Sequence, residues 1–263
     1  MNATVPFVKM NGTHNEFVVV DGRETPLDDP IAFARNVCDP ERGPGADGLL
    51  LALDSATADV RMRIINADGS EPEMCGNGIR CLARYLDEHD GLAEAVVETI
   101  AGPIATRVLS REPYLVSEVM GTPRIGEPHD VAGFRATPVD VGNPHVVIFV
   151  DDLAAIDIRA LGPRIERDPR YPDGTNVHFA QIDGNRLRVL HWERGAGATA
   201  ACGTGAVSTA AVAIAAHGFR SPVTLEVPGG ELRVEWTQGE RATLIGDAVV
   251  EFSSTFDERR LSV

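Results

Sequence analysis

Along this chain, apolar and polar residues alternate in short runs more often than they recur with helical spacing. Phe7-Val8-Lys9-Met10 and Phe17-Val18-Val19-Val20-Asp21 flank a polar stretch at 11–16, which predicts strand, loop, strand. A short helix is expected over 31–37 and a strand over 49–53. Residues 58–66 then alternate through Val60, Met62 and Ile64, as a half-buried strand does. Ile79, Leu82, Ala83 and Leu86 recur three and four apart, one face of a helix that Gly91 would stop. Residues 95–99 and 104–109 predict a hairpin about Gly102-Pro103.

A second series of the same kind follows residue 113. Strands are expected over 136–141 and 146–150, a helical segment over 156–166, and strands over 175–182 and 186–193. Residues 206–216 are apolar almost all round, which predicts a helix buried on every side, with Gly218 as its stop. Strands over 223–227, 231–236, 242–246 and 249–252 close the chain.

The two series share landmarks. Asn15 lies 60 residues before Cys75, and Asn143 lies 59 before Cys202. Asn66 and Glu193 each precede their cysteine by nine. Asp47-Gly48 and Asp173-Gly174 sit at offsets that agree to within one residue. The period is far too long for a solenoid, so a duplicated domain is indicated. The expected fold is α+β: two homologous domains related by a pseudo-twofold axis, each a strand-rich barrel or wrapped sheet around a central helix. The expected boundaries are 1–113 plus 250–263 for the domain carrying Cys75, and 114–249 for the domain carrying Cys202.

Charge narrows the partners. The formal charge is −15, with 39 acidic residues against 24 basic ones. Nucleic acid and anionic membrane both need basic patches, so neither is expected as a partner. Lys9 is the only lysine, every other base being arginine, a composition that fits solution in concentrated salt. No apolar run is long enough to span a bilayer, and the first 20 residues do not make a signal peptide. A cytoplasmic protein is expected.

The chemistry centres on Glu73-Met74-Cys75-Gly76-Asn77-Gly78 and Ala200-Ala201-Cys202-Gly203-Thr204-Gly205. Each sets a cysteine before Gly-x-Gly at the start of a predicted helix. Free backbone N–H groups and the positive end of the helix dipole collect there. Such a position lowers a thiol's pKa and offers bare amides to a carboxylate. Two equivalent helix starts facing one cleft would flank an α-carbon with two thiols, one to take its proton and one to supply another. Cys38 and Cys81 read as core residues. No C-x-x-C or histidine cluster points to a metal.

These stretches resemble diaminopimelate epimerases. The resemblance is carried by Lys9-Met10-Asn11-Gly12 with Asn15-Glu16-Phe17, Gly45-Ala46-Asp47-Gly48, Asn66-Ala67-Asp68-Gly69-Ser70, Met74-Cys75-Gly76-Asn77-Gly78, Gly142-Asn143-Pro144-His145, Asn176, Glu193-Arg194-Gly195-Ala196-Gly197 with Thr199, and Cys202-Gly203-Thr204-Gly205. It implies cofactor-independent interconversion of LL- and meso-2,6-diaminopimelate by a homodimer, with a small diamino dicarboxylate as substrate. It implies Cys75 and Cys202 as the proton-transfer pair and His145 as a supporting catalytic residue. The amides of Gly76, Asn77, Gly203 and Thr204 would bind the reacting carboxylate, and Glu193 the α-ammonium. Arg194 with Asn15, Asn66, Asn143 and Asn176 would bind the distal amino acid centre. The family usually carries His at the place of Asn11 and Asp at the place of Glu16.

Other readings meet specific obstacles. A proline racemase-like enzyme needs no distal clamp of Arg194 and asparagines. A Cys-His-Asn hydrolase built on His145 leaves one cysteine idle. A pyridoxal-phosphate racemase needs a Schiff-base lysine, and only Lys9 exists. A non-catalytic binding module has no need of both thiols. The histidines other than His145 are expected on the surface or in packing.

Overall fold

The computed structural model describes residues 4–257. Two compact units divide the chain: one runs to Glu118 and resumes at Gly246, and the other is Val119–Ile245.

In the first unit β1 (Thr4–Gly12) pairs antiparallel with β2 (Asn15–Asp21), and α1 (Pro30–Val37) leads to β3 (Gly48–Leu53), parallel to β2. Next, β4 (Val60–Asn66) runs antiparallel to β3, and α2 (Gly76–Asp90) crosses to β5 (Glu94–Thr99), parallel to β4. The antiparallel strands β6 (Gly102–Arg111) and β7 (Tyr114–Val119) follow. The sheet wraps α2, which packs against β1 through β6. Ile79, Leu82 and Leu86 are fully buried as their spacing predicts, and Gly91 ends the helix with φ 72°.

Two turns are tighter than the sequence suggests. Strand pairing continues through Asn11↔Glu16 and Gly12↔Asn15, so the expected loop shrinks to Thr13-His14, with φ of 51° and 59°. Positive φ at both central residues is what a two-residue hairpin needs to match strand twist. Likewise Thr99 pairs with Gly102, so Ile100-Ala101 forms the turn and Gly102-Pro103 already belongs to β6.

In the second unit β8 (Arg124–Ile125) and β9 (His129–Val131) are short strands against β10 (Phe134–Asp140). The main series is β10, β11 (Pro144–Phe149), α3 (Ile158–Glu166), β12 (Asn176–Asp183) and β13 (Arg186–Glu193). A short β14 (Gly197–Thr199) folds back on β13. The helix α4 (Gly203–Ala216) and β15 (Val223–Val227), β16 (Gly230–Glu235) and β17 (Thr243–Asp247) complete it. The pairings run antiparallel, parallel, antiparallel, parallel, antiparallel, antiparallel from β10 to β17. That is the order found from β1 to β7, with a buried helix after the fourth strand in both. The landmark offsets thus mark a repeated topology. The chain ends in β18 (Val249–Asp257), antiparallel along β1.

Lys9, the sole lysine, is 4% exposed. Its ammonium is held by Glu16 at 2.6 Å and by the Gly45 carbonyl. No described surface therefore carries a lysine, and Lys9 is closed to Schiff-base chemistry. Asn11 and Glu16 both spend their side chains on this structure, Asn11 donating to Glu251 at 3.0 Å.

Candidate active site

Each cysteine is the residue just before its helix. Cys75 caps α2 with φ −143° and Cys202 caps α4 with φ −133°, both extended. The amides of the following Gly-x-Gly residues are therefore the first-turn donors that lack a carbonyl partner within each helix. The glycines are also forced by packing. A Cβ at Gly76 would fall 2.8 Å from Glu118 Oε1, and one at Gly203 2.9 Å from Leu244.

In the first unit the structure joins Asn15, Cys75 and Asn77. The Cys75 thiol lies 3.7 Å from Asn15 Oδ1 and donates to it, and Asn77 Nδ2 reaches the same oxygen at 3.5 Å. Asn15 Nδ2 donates to Asp47 Oδ2 at 2.7 Å, which fixes the amide so that its oxygen faces the sulfur. Asn77 Oδ1 is taken by Arg80 at 2.7 Å. Asn66, at the end of β4, is bonded instead to Ser70 through both its backbone and its amide.

In the second unit Glu193 and Cys202 are neighbours. Burial raises the Glu193 carboxyl above its usual range, with Thr199 and Cys202 working the other way. Burial also lifts the Cys202 thiol well above its usual value, and Glu193 adds to the effect. This corrects the expectation of an acidic thiol at this helix start. The sulfur is closed off from water, and a nearby carboxylate disfavours a second negative charge more than the Thr204 hydroxyl and Gly205 amide favour it. Cys202 therefore rests as a thiol.

Asn143, His145, Asn176 and Arg194 form the adjoining group. His145 Nε2 lies 2.8 Å from Asn143 Oδ1. The Asn176 amide ties two segments, donating to the Pro144 carbonyl at 2.8 Å and accepting the Arg194 N–H at 2.9 Å. The Arg194 guanidinium donates to the Asp173 carbonyl at 2.9 Å. Asp47 and Asp173, neither of them expected as a site residue from the sequence, thus each anchor one.

His178 and His191, expected on the surface or in packing, belong to the same group. Both are fully buried, and they extend from His145 as a hydrogen-bonded row. Burial holds all three neutral: His145 and His191 are pushed down to about 3, and His178 well below the ordinary 6.5. Rings kept neutral by the fold bind fewer protons than the same rings in the unfolded chain. Stability should therefore fall as pH drops from about 6.5 toward 3. Urea unfolding at about pH 7 and pH 5 checks this. The loss should be smaller in His191→Leu, and an equal loss in both proteins would contradict the assignment.

Among the described residues no cluster of three or more His, Cys, Asp or Glu is placed to hold a metal ion. No helix there is long and apolar enough to cross a membrane.

The solved structures similar to this chain share its fold. A phenazine biosynthesis protein of the PhzF family from Bacillus anthracis superposes with a TM-score of 0.74 at 16% identity, covering 96% of this chain and 99% of the other. A hydroxyproline epimerase from Agrobacterium vitis superposes with a TM-score of 0.63 at 18% identity, covering 98% and 92%. Sequence relatives are nearer. A diaminopimelate epimerase of Desulfitobacterium hafniense is 41% identical over 97% of this chain and 99% of its own length. One of Sphingopyxis alaskensis is 42% identical over 95% and 97%. The diaminopimelate epimerase family model matches residues 7–126 and 137–251. With both cysteine-capped helices inside the matched segments, the chain belongs to the diaminopimelate epimerase family.

Proposed function

We propose that this protein interconverts LL- and meso-2,6-diaminopimelate by proton transfer between Cys75 and Cys202 at a single α-carbon. The observation that carries the reading is the repeated thiol: each unit sets a cysteine at the start of its central helix, before Gly-x-Gly. Full-length similarity to enzymes named for this reaction supports the substrate.

In this reading the amides of Gly76, Asn77, Gly203 and Thr204 hold the reacting carboxylate. One sulfur, as thiolate, takes the α-proton. The C–H bonding pair moves into the carboxylate, and the opposite thiol delivers its own proton to the other face. The roles are exchanged in the reverse direction. Cys202 is the donor in the direction that starts from its thiol, the form that burial and Glu193 favour in the free protein. The substrate α-ammonium sits on Glu193 and offsets the negative charge beside that sulfur. Arg194 with Asn15, Asn66, Asn143 and Asn176 binds the distal centre, which a proline-sized substrate lacks. His145 acts by holding Asn143. The enzyme works as a cytoplasmic homodimer, and sedimentation at twice the chain mass checks the dimer.

The direct test is incubation with LL-diaminopimelate in deuterium oxide. Meso product carrying one deuterium at the inverted α-carbon is expected. Meso product without deuterium would rule out delivery from a solvent-exchanged thiol, and absence of meso product would reject the activity.

A further inference from the structure

The two units place different side chains at one equivalent core position. In the first, Phe17 stands beside Gly48, and Leu50 pairs directly with Ile64. In the second, the same register sets His145 beside Asn176 and pairs His178 with His191. An apolar trio of Phe17, Leu50 and Ile64 thus answers to a trio of imidazoles, each at most 1% exposed. The helix glycines correspond as well. A Cβ at Gly78 would meet Leu50 at 3.0 Å, while one at Gly205 would clash with the His178 ring. Packing alone is satisfied by the apolar set, and burying polar rings costs free energy unless every hydrogen bond is made.

The imidazole row has a direction. His145 Nε2 faces Asn143 Oδ1, an acceptor, so Nε2 carries the proton and Nδ1 is bare. His178 Nε2, 2.8 Å from that Nδ1, must then donate to it. His178 Nδ1 is in turn bare and accepts from His191 Nδ1, also at 2.8 Å. The row ends at His191 Nε2, buried without a partner. In this direction the orphan is a lone pair. The reverse direction would bury an orphan N–H, the rarer and costlier defect.

We propose that His178 and His191 are positioning residues for the reaction: with His145 they form a one-way chain of hydrogen bonds that locks the Asn143 amide with its oxygen inward and its NH2 outward, and seats the first turn of α4 against the His178 ring beneath Cys202. The Gly205 amide, resting on that ring, is directed at the Cys202 sulfur. The apolar trio of the first unit also packs against its helix, with Gly78 on Leu50, but it has no donor to orient an amide. This inference rests on the epimerase reading for its kinetic arm only.

The test combines ring nitrogen-15 spectra with two variants. In the wild-type protein His145 and His178 should show the Nε2–H tautomer and His191 the Nδ1–H tautomer. The opposite pattern overturns the assigned direction whether or not the protein epimerises diaminopimelate. His178→Leu copies the residue of the first unit and should fold, but kcat/KM should fall by roughly 10- to 100-fold, the size of effect that small misplacement of a site produces. His178→Gln, which keeps one donor and one acceptor, should recover most of that loss. Wild-type kcat/KM in folded His178→Leu, or no recovery in folded His178→Gln, overturns the positioning role. A wild-type protein inactive on diaminopimelate refutes the epimerase reading and leaves the spectra to decide the chain.

Discussion

Replacing either Cys75 or Cys202 with alanine is expected to cut epimerisation by on the order of 10²- to 10⁴-fold, the contribution of one positioned acid or base. Steady-state formation of meso product from the LL isomer, and the reverse, measures it. Both variants should fold. Cys75 is half-buried, and its thiol donates to Asn15 Oδ1 at 3.7 Å. Cys202 is buried, and its sulfur interacts with Thr204 at 3.7 Å, with Glu193 and with the Gly205 amide, none of which is part of a strand or helix backbone ladder. The Cys202 variant also removes a thiol that favours the buried Glu193 carboxylate, so it should be modestly less stable than the parent. Turnover near the wild-type rate by either variant would end the two-thiol mechanism, because one sulfur cannot serve both faces of a planar carbon.

The second large effect concerns stability. Arg80 and Glu118 are fully buried and pair at 2.8 Å. Arg80 also donates to Thr13 Oγ1 at 2.8 Å, to Asn77 Oδ1 at 2.7 Å and to the Asp247 carbonyl at 3.1 Å. One guanidinium thus ties the hairpin turn, the first turn of α2 and the chain leaving β17 to the end of β7. Removing one partner of a buried pair strands the other charge, so Arg80→Leu should cost about 3–5 kcal/mol in urea unfolding. Burial already raises the Glu118 carboxyl, with Arg80 opposing that shift. The double variant Arg80→Leu with Glu118→Leu should recover a substantial part of the loss, since no unpaired charge remains. A cost below about 1 kcal/mol for Arg80→Leu would mean the pair contributes no more than an exposed one.

Arg80 also illustrates what a sequence can hide. It sits between Ile79 and Cys81 on α2, where spacing marks Ile79, Leu82, Ala83 and Leu86 as the inward face. Nothing local says that the opposite side is covered too. Apart from Asn77, three residues back, its partners lie 38, 67 and 167 residues away along the chain. His178 and His191 are a different case. Alternation along β12 and β13 sets His178 on the face of Asn176 and His191 on the face of Glu193, so period two alone would have grouped them with the site. Without their partners in view, histidines in strands read as surface or packing residues.

Most of the strands, the central helices and the repeat were legible because they follow from local rules: alternation, a buried helix after Gly-x-Gly, and landmarks at matched offsets. The cysteines as helix caps were legible for the same reason. The protonation state of Cys202 was not. A helix start lowers a thiol's pKa, and that much is local. The exclusion of water and the carboxylate of Glu193 depend on which strands close over the sulfur, and they reverse the sign. The sequence by itself determined which residues could do the chemistry and where along the chain they stand. Only the tertiary structure decided their charge, their hydrogen-bond direction and their burial, because those depend on groups brought together from distant parts of the chain.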